Sequence, residues 1–230
     1  MALVSYNGFR FLCNAFLLLN AVLHPVMAFI NPRMAAMCYR QALLAAVVGY
    51  AASLWISNRS KIQFNLQFAQ QVSSSADAQY FMNTLIFFLT GYVNLLLLAP
   101  LCVYAAFSVA DTAKTVVKPK APSLYERFFQ QRTTWLFSKT NEAMLYVALM
   151  EVMLGLFMVA GVFTRSNSLI HLVVYWNFLS GRYRTNKATQ TVFGQLKQKI
   201  DGWTYHRFCP SVVRLLWAKV AGLLSSVANR

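Results

Sequence analysis

The sequence predicts an all-α integral membrane protein of helical hairpins, with amphipathic interfacial helices and a C-terminal amphipathic helix. Three observations carry that fold class. Of 230 residues, 58% are hydrophobic and 12% charged, about half the charged fraction of an ordinary soluble domain. Residues 81–107 contain no charged side chain at all. The formal net charge of +15, from 21 Lys and Arg against 6 Asp and Glu, falls mostly between the apolar runs, where basic loops hold to the cytoplasmic side. The 18 Phe, 11 Tyr and 5 Trp exclude intrinsic disorder. No soluble-looking stretch of domain size remains beside the apolar runs.

The elements follow in chain order. Residues 9–30 form a first apolar region, with turn signals at His24-Pro25 and Asn31-Pro32. Only Arg10 precedes the run at 11–22 and no small-residue cleavage site follows, so this region reads as a retained anchor and not a signal peptide. The second region, about 35–56, is either a tilted helix or a segment that does not cross fully. As one helix, 81–107 would be about 40 Å long against a hydrocarbon core of about 30 Å. It must tilt, kink at Pro100, or fold back near Gly91-Tyr92. The fourth region, 143–179, holds two runs broken by the polar turn Thr164-Arg165-Ser166-Asn167-Ser168, which predicts a hairpin. In 61–72, Ile62, Phe64, Leu66, Phe68 and Val72 read either as a strand by alternation or as a surface helix through Phe64, Phe68 and Val72, and beside a bilayer the helix is favoured.

The charge between these regions bears on topology. Residues 109–142 carry six cations against three acids, and 182–230 carry nine against Asp201 alone. Placing all basic regions on the cytosolic side makes each apolar region a hairpin, with up to three hairpins and both termini cytosolic. The rival, four single spans, puts the 109–142 loop in the lumen. We favour hairpins, which divides the chain into a multi-pass membrane domain at 1–181 and a basic cytosolic tail at 182–230. The sequon Asn58-Arg59-Ser60 is then cytosolic and unmodified.

The tail holds the candidate lipid-binding residues. Val213, Leu216, Trp217, Val220, Leu223 and Leu224 follow helical spacing over about 211–228, with Arg214 and Lys219 largely on the other side. Such a helix suits the headgroup layer, where apolar burial and attraction to anionic lipid act together. Packing on the protein's own hairpins and docking to a partner helix are the alternatives. Arg182, Arg184 and Lys187 follow an apolar run directly, and each cation there adds about 1 kcal/mol of attraction to an acidic leaflet. A plain topology anchor explains them equally. Nucleic acid is not expected as a partner, because no base-reading module is present and the cations track the membrane boundaries.

Chemistry has few candidates. Glu151 is the one acid inside an apolar run, where a comparable charge costs about 2.5–3.5 kcal/mol on insertion scales and needs a polar partner. His171 and Asn177 are the candidates for that partner. A structural hydrogen bond is the favoured role, and a small transporter or channel subunit centred on Glu151 is the alternative function. His24, His171 and His206 are dispersed, and Cys13, Cys38, Cys102 and Cys209 are scattered singly, so no zinc site, disulfide framework or cofactor is expected. Lipidation of Cys209 is a minor alternative. With no nucleophile elbow and no phosphate-binding glycine loop, the chain reads as a non-enzyme.

In order along the chain stand Tyr39-Arg40-Gln41-Ala42-Leu43-Leu44-Ala45, Gln63-Phe64 with Leu66, and Asp77 and Tyr80 before Leu85-Ile86-Phe87. Asn141-Glu142, Tyr175 through Phe178-Leu179 to Arg182-Tyr183, and Cys209-Pro210 with Val213-Arg214 follow. This series resembles the transmembrane protein 33 family, whose relatives include Krüppel homologue 2 and fungal pore-membrane nucleoporins. The similarity runs from about residue 35 onward, and the first 34 residues match only in hydropathy. The resemblance implies a protein of the endoplasmic reticulum and nuclear envelope. It implies association with reticulon-type membrane shaping and, in fungi, with nuclear pore assembly, and it supplies no catalytic residues. The expected function is to shape or sense curved membrane, with membrane lipids and reticulon-type proteins or nucleoporins as partners.

Overall fold

A computed structural model describes residues 2–59, 65–164 and 167–205, together with Arg214, Ala218 and Lys219. No strand occurs among the described residues. The chain begins with α1 (Ala2–Ile30) and turns at Asn31 into α2 (Pro32–Asn58). The turn forms there because Asn31 is extended and its side chain accepts from Arg33 N and Met34 N, while Pro32 occupies the first helical position. The break expected at His24-Pro25 does not occur. Helix α1 runs through Pro25, as membrane helices tolerate when neighbours satisfy the freed groups, and His24 Nδ1 donates to Ala35 O at 2.9 Å across the hairpin.

Helix α3 (Leu66–Ser74), capped by Asn65, carries Phe68 and Val72 of the surface helix expected at 61–72, while Phe64 lies outside the described residues. Helix α4 (Ala76–Thr90) starts at the Ser75 cap and ends at Gly91, whose φ of 66° is left-handed and suits only glycine cheaply. Asn94 then caps α5 (Leu95–Thr112), in which Pro100 lies inside the helix. The uncharged 81–107 run therefore folds back. Tyr80 and Tyr104 stand at similar distances on either side of Gly91, and their rings meet at 5.0 Å.

A π-helical turn (Ala113–Val117) follows α5. The short helices α6 (Lys118–Lys120), α7 (Pro122–Phe128) and α8 (Gln130–Ser138) then lead into α9 (Thr140–Phe163). The predicted polar turn separates α9 from α10 (Leu169–Thr185), and α11 (Lys187–Thr204) begins at the Asn186 cap.

Helix α1 packs on α2 and α9 on α10, while α4 and α5 are splayed, α4 packing on α2 and α10 and α5 on α1 and α9. The pairs α1/α2, α4/α5 and α9/α10 run out and back in turn. Their connections share one end, here called apical: Tyr39 OH donates to Asn94 O at 3.2 Å, and Tyr92 OH donates to Asn167 Oδ1 at 2.9 Å. The basic segments gather at the opposite, basal end, where Ser53 Oγ donates to Asp77 Oδ2 at 2.5 Å and Phe137 of α8 packs on Phe107 of α5. Among the described residues, four helices are long and apolar enough to cross a bilayer: Gly8–Ile30, Pro32–Asn58, Leu95–Val117 and Thr140–Phe163. Helices α4 and α10, of 15 and 17 residues, reach only about 22–26 Å and lie beside these long ones.

Apolar side chains face outward as well as inward. Leu12, Phe16, Leu19, Val22 and Phe29 of α1 face outward, as do Leu149, Leu156 and Phe157 of α9. An apolar surface this continuous belongs in lipid. Inside lie Tyr39, Ala42, Leu43, Phe87, Leu101, Leu154 and Tyr175, with Asn20, Asn83, Thr84, Glu151 and Arg182 buried among them. The domain boundary expected at 181/182 falls within continuous α10. Beyond it, Val192 of α11 packs with Ala148, Val152 and Leu179, and Phe193 and Leu196 flank that cluster. The first part of the expected tail is therefore joined to the bundle, while Lys197 and Lys199 face outward.

Candidate functional site

The polar groups of the interior converge on Glu151. This side chain projects from the middle of α9 and is fully buried. Its Oε1 accepts a short hydrogen bond from Tyr80 OH of α4, and its Oε2 lies 3.5 Å from Arg182 Nε of α10. Arg182 Nη2 in turn donates to Tyr104 OH of α5 at 2.8 Å. The guanidinium also stands over the rings of Tyr80, at 5.1 Å, and Tyr104, at 6.0 Å, where cation–π attraction adds to the ion pair. Tyr175 OH donates to the backbone carbonyl of Glu151 at 2.8 Å, and Tyr50 of α2 stacks on Tyr80 at 5.6 Å. Five helices from all three hairpins thus meet at one charge pair.

Two expectations are corrected here. The partner of Glu151 is neither His171 nor Asn177. His171 lies nearer the apical end, sandwiched against Phe87 at 5.5 Å and Tyr92 at 4.9 Å, with no hydrogen bond to either ring nitrogen among the described residues. Asn177 points outward. Arg182 does not stand among the headgroup cations: it is 3% exposed, because it shares a helix face with buried Tyr175, Phe178 and Leu179. Arg184 and Lys187 do remain exposed near the basal end, and Lys219 is exposed. Arg214 is half-buried. Val213, Leu216, Trp217, Val220, Leu223 and Leu224 lie outside the described residues, as does Cys209.

With its charge matched by Arg182 and its oxygens engaged, Glu151 is satisfied as a structural group. Removing one member of such a buried pair typically costs about 3–5 kcal/mol, because the survivor is left uncompensated. Sequence reasoning missed Tyr50, Tyr80 and Tyr104 as members of this cluster. The available signal was the presence of tyrosines inside otherwise apolar runs, where each hydroxyl needs a partner.

Below the ion pair the bundle opens into a cleft of about 290 Å³. Tyr50, Tyr80 and Tyr104 line its inner part, and Arg10, Asp77 and Asp111 line it one turn further toward the basal end. Asn14 Nδ2 donates to Ser108 Oγ at 2.9 Å and ties α1 to α5 across it. Asp77 is held by Ser53, and neither the Arg182–Glu151 nor the Lys139–Glu142 ion pair involves Arg10, Asp77 or Asp111, which share the cleft.

Comparison with known proteins places this architecture. The family described as Transmembrane protein 33/Nucleoporin POM33 matches residues 2–230. Tetra-spanning protein 1 of Schizosaccharomyces pombe is 25% identical over 213 residues, covering 87% of this chain and 76% of its own. The Transmembrane protein 33 homolog of Dictyostelium discoideum is 22% identical, over 94% of this chain and 72% of its own. The homolog of the same name in Caenorhabditis elegans is also 22% identical, over 90% and 76%. No solved structure matches the chain.

Proposed function

The chain belongs to the Transmembrane protein 33/Nucleoporin POM33 family, and from that premise we propose a non-enzymatic membrane protein of the endoplasmic reticulum and nuclear envelope that shapes or senses curved bilayer. The observation that carries this reading is the unequal mass of the two ends. The apical end holds only short connections, whereas the basal end adds α3, α7 and α8, with Trp55 and Trp135 exposed there. Tryptophan favours the headgroup level. A body wider at one leaflet is relieved by curvature toward that leaflet, and exposed Arg184 and Lys187 bias the wide end toward anionic cytosolic lipid. The family resemblance adds a role in reticulum organisation or pore assembly, and on this reading reticulon-type proteins or nucleoporins bind at the basal surface.

Two measurements test the reading. The full-length protein, reconstituted into giant vesicles with its basal end outward, should be enriched on tethers pulled from them, and equal density on tether and vesicle would defeat curvature sensing. Gln131, exposed on α8, gives the orientation: Gln131→Cys, with the native cysteines replaced, should react with an impermeant thiol reagent added to the cytosolic side of sealed microsomes. Protection there would put the basal end in the lumen.

A further inference from the structure

The basal cleft has a use that neither the ion pair nor the shape of the bundle requires. Its rim carries opposite charges at one mouth. Arg10 stands one turn basal of Asn14 on α1, Asp111 one turn basal of Ser108 on α5, and Asp77 one turn basal of Tyr80 on α4. Because Asn14 and Ser108 are hydrogen-bonded, Arg10 and Asp111 are brought to facing positions, while Ser53 fixes the carboxylate of Asp77. A simple anion entering this rim meets two carboxylates against one guanidinium, and a simple cation meets Arg10. A zwitterion with its charges a few bonds apart meets complementary groups at both ends.

Position and size narrow the ligand. The rim lies where α2 ends and α4 begins, at the boundary between the apolar helices and the polar basal segments, which is the depth of lipid headgroups. At about 290 Å³ the cleft falls just below the range of about 300–1,000 Å³ for small-molecule sites, which suits a headgroup and not a whole lipid. Phe107 and Phe137 edge it with apolar surface, and the ring of Tyr50 offers a π face of the kind that attracts ammonium groups.

We propose that this cleft binds the headgroup of a zwitterionic phospholipid, with the ammonium between Asp77 and Asp111 beside Tyr50 and the phosphate on Arg10.

The test uses the full-length protein, delipidated in detergent, with binding read by native mass spectrometry and by the shift in thermal unfolding. Phosphatidylethanolamine and phosphatidylcholine should bind and raise the melting temperature, whereas phosphatidylglycerol, which keeps the phosphate but lacks the amine, should bind at least about tenfold more weakly. Soluble glycerophosphoethanolamine presents the same charges without acyl chains, and a response equal to that of the lipid would overturn the lipid assignment. Arg10→Gln and Asp111→Asn should each weaken lipid binding about tenfold. Both residues sit at the rim, so the melting temperature without lipid should stay near that of the parent, and Arg10→Lys should retain most of the binding. Equal affinity for phosphatidylglycerol, or full affinity in both rim variants, would sink the proposal.

Discussion

The apical end and the middle of the bundle are both tied by tyrosines, yet they are tied in different currencies. At the apical end Tyr39 and Tyr92 bind neutral partners: Tyr39 OH accepts from Asn94 N and donates to Asn94 O, and Tyr92 OH accepts from Asn94 Nδ2 and donates to Asn167. In the middle, Tyr80 and Tyr104 bind the charged pair Glu151–Arg182. Neutral hydrogen bonds contribute about 0.5–1.5 kcal/mol each and fail gently. A desolvated charge pair contributes little relative to an apolar core but fails severely when halved. The apical contacts therefore join neighbouring hairpins through separate neutral bonds, whereas the buried pair ties Tyr80 and Tyr104 of α4/α5 to Glu151 and Arg182 of α9/α10 around one charge match.

The largest effect should come from halving that pair. Arg182→Leu should lower stability by about 3–5 kcal/mol, read as denaturant or thermal unfolding of the detergent-solubilised protein. Replacing both members, Glu151→Leu with Arg182→Leu, should restore most of it. If the double variant is as unstable as the single, the interior is not organised around charge matching. Next, Tyr80→Phe leaves Glu151 one donor short and should cost about 1–3 kcal/mol. The same assay on Gly91→Ala places a side chain at φ of 66°, and the left-handed conformation costs about 1–2 kcal/mol. Of similar size, Asn94→Ala removes both the cap of α5 and the Nδ2 donor to Tyr92 OH, for about 1–2 kcal/mol together. An apical loss exceeding that of Arg182→Leu would reverse the comparison.

Much of this architecture is legible in the residues, and the exceptions have a common cause. Gly91 and the polar turn at 164–168 announce the two later hairpins because backbone conformation there is a local property. The helix register that turns Arg182 inward is not local. A cation at the end of an apolar run looks the same whether it faces headgroups or a neighbour, and only the face shared with Tyr175, Phe178 and Leu179 decides. Pro25 misleads in the opposite sense, since a proline signals a break in water but can be accommodated in a membrane helix packed against a partner. The apolar spacing of Val192, Leu196 and Ile200 in α11 was readable as an amphipathic helix. It is overshadowed by the longer apolar pattern further along the tail.

The separation of the charged partners along the chain also sets an order of assembly. Arg182 lies 31 residues after Glu151, and Tyr80 lies 71 residues before it. During synthesis the first two hairpins can close on contacts of their own, but once α9 has entered the bilayer its acid has no cation until α10 follows. A chain halted between these points displays an unmatched intramembrane carboxyl, and a finished one conceals it. The last hairpin to be made is thus the one that certifies the others, and a nascent chain interrupted before Arg182 carries within its membrane segment a mark of being incomplete.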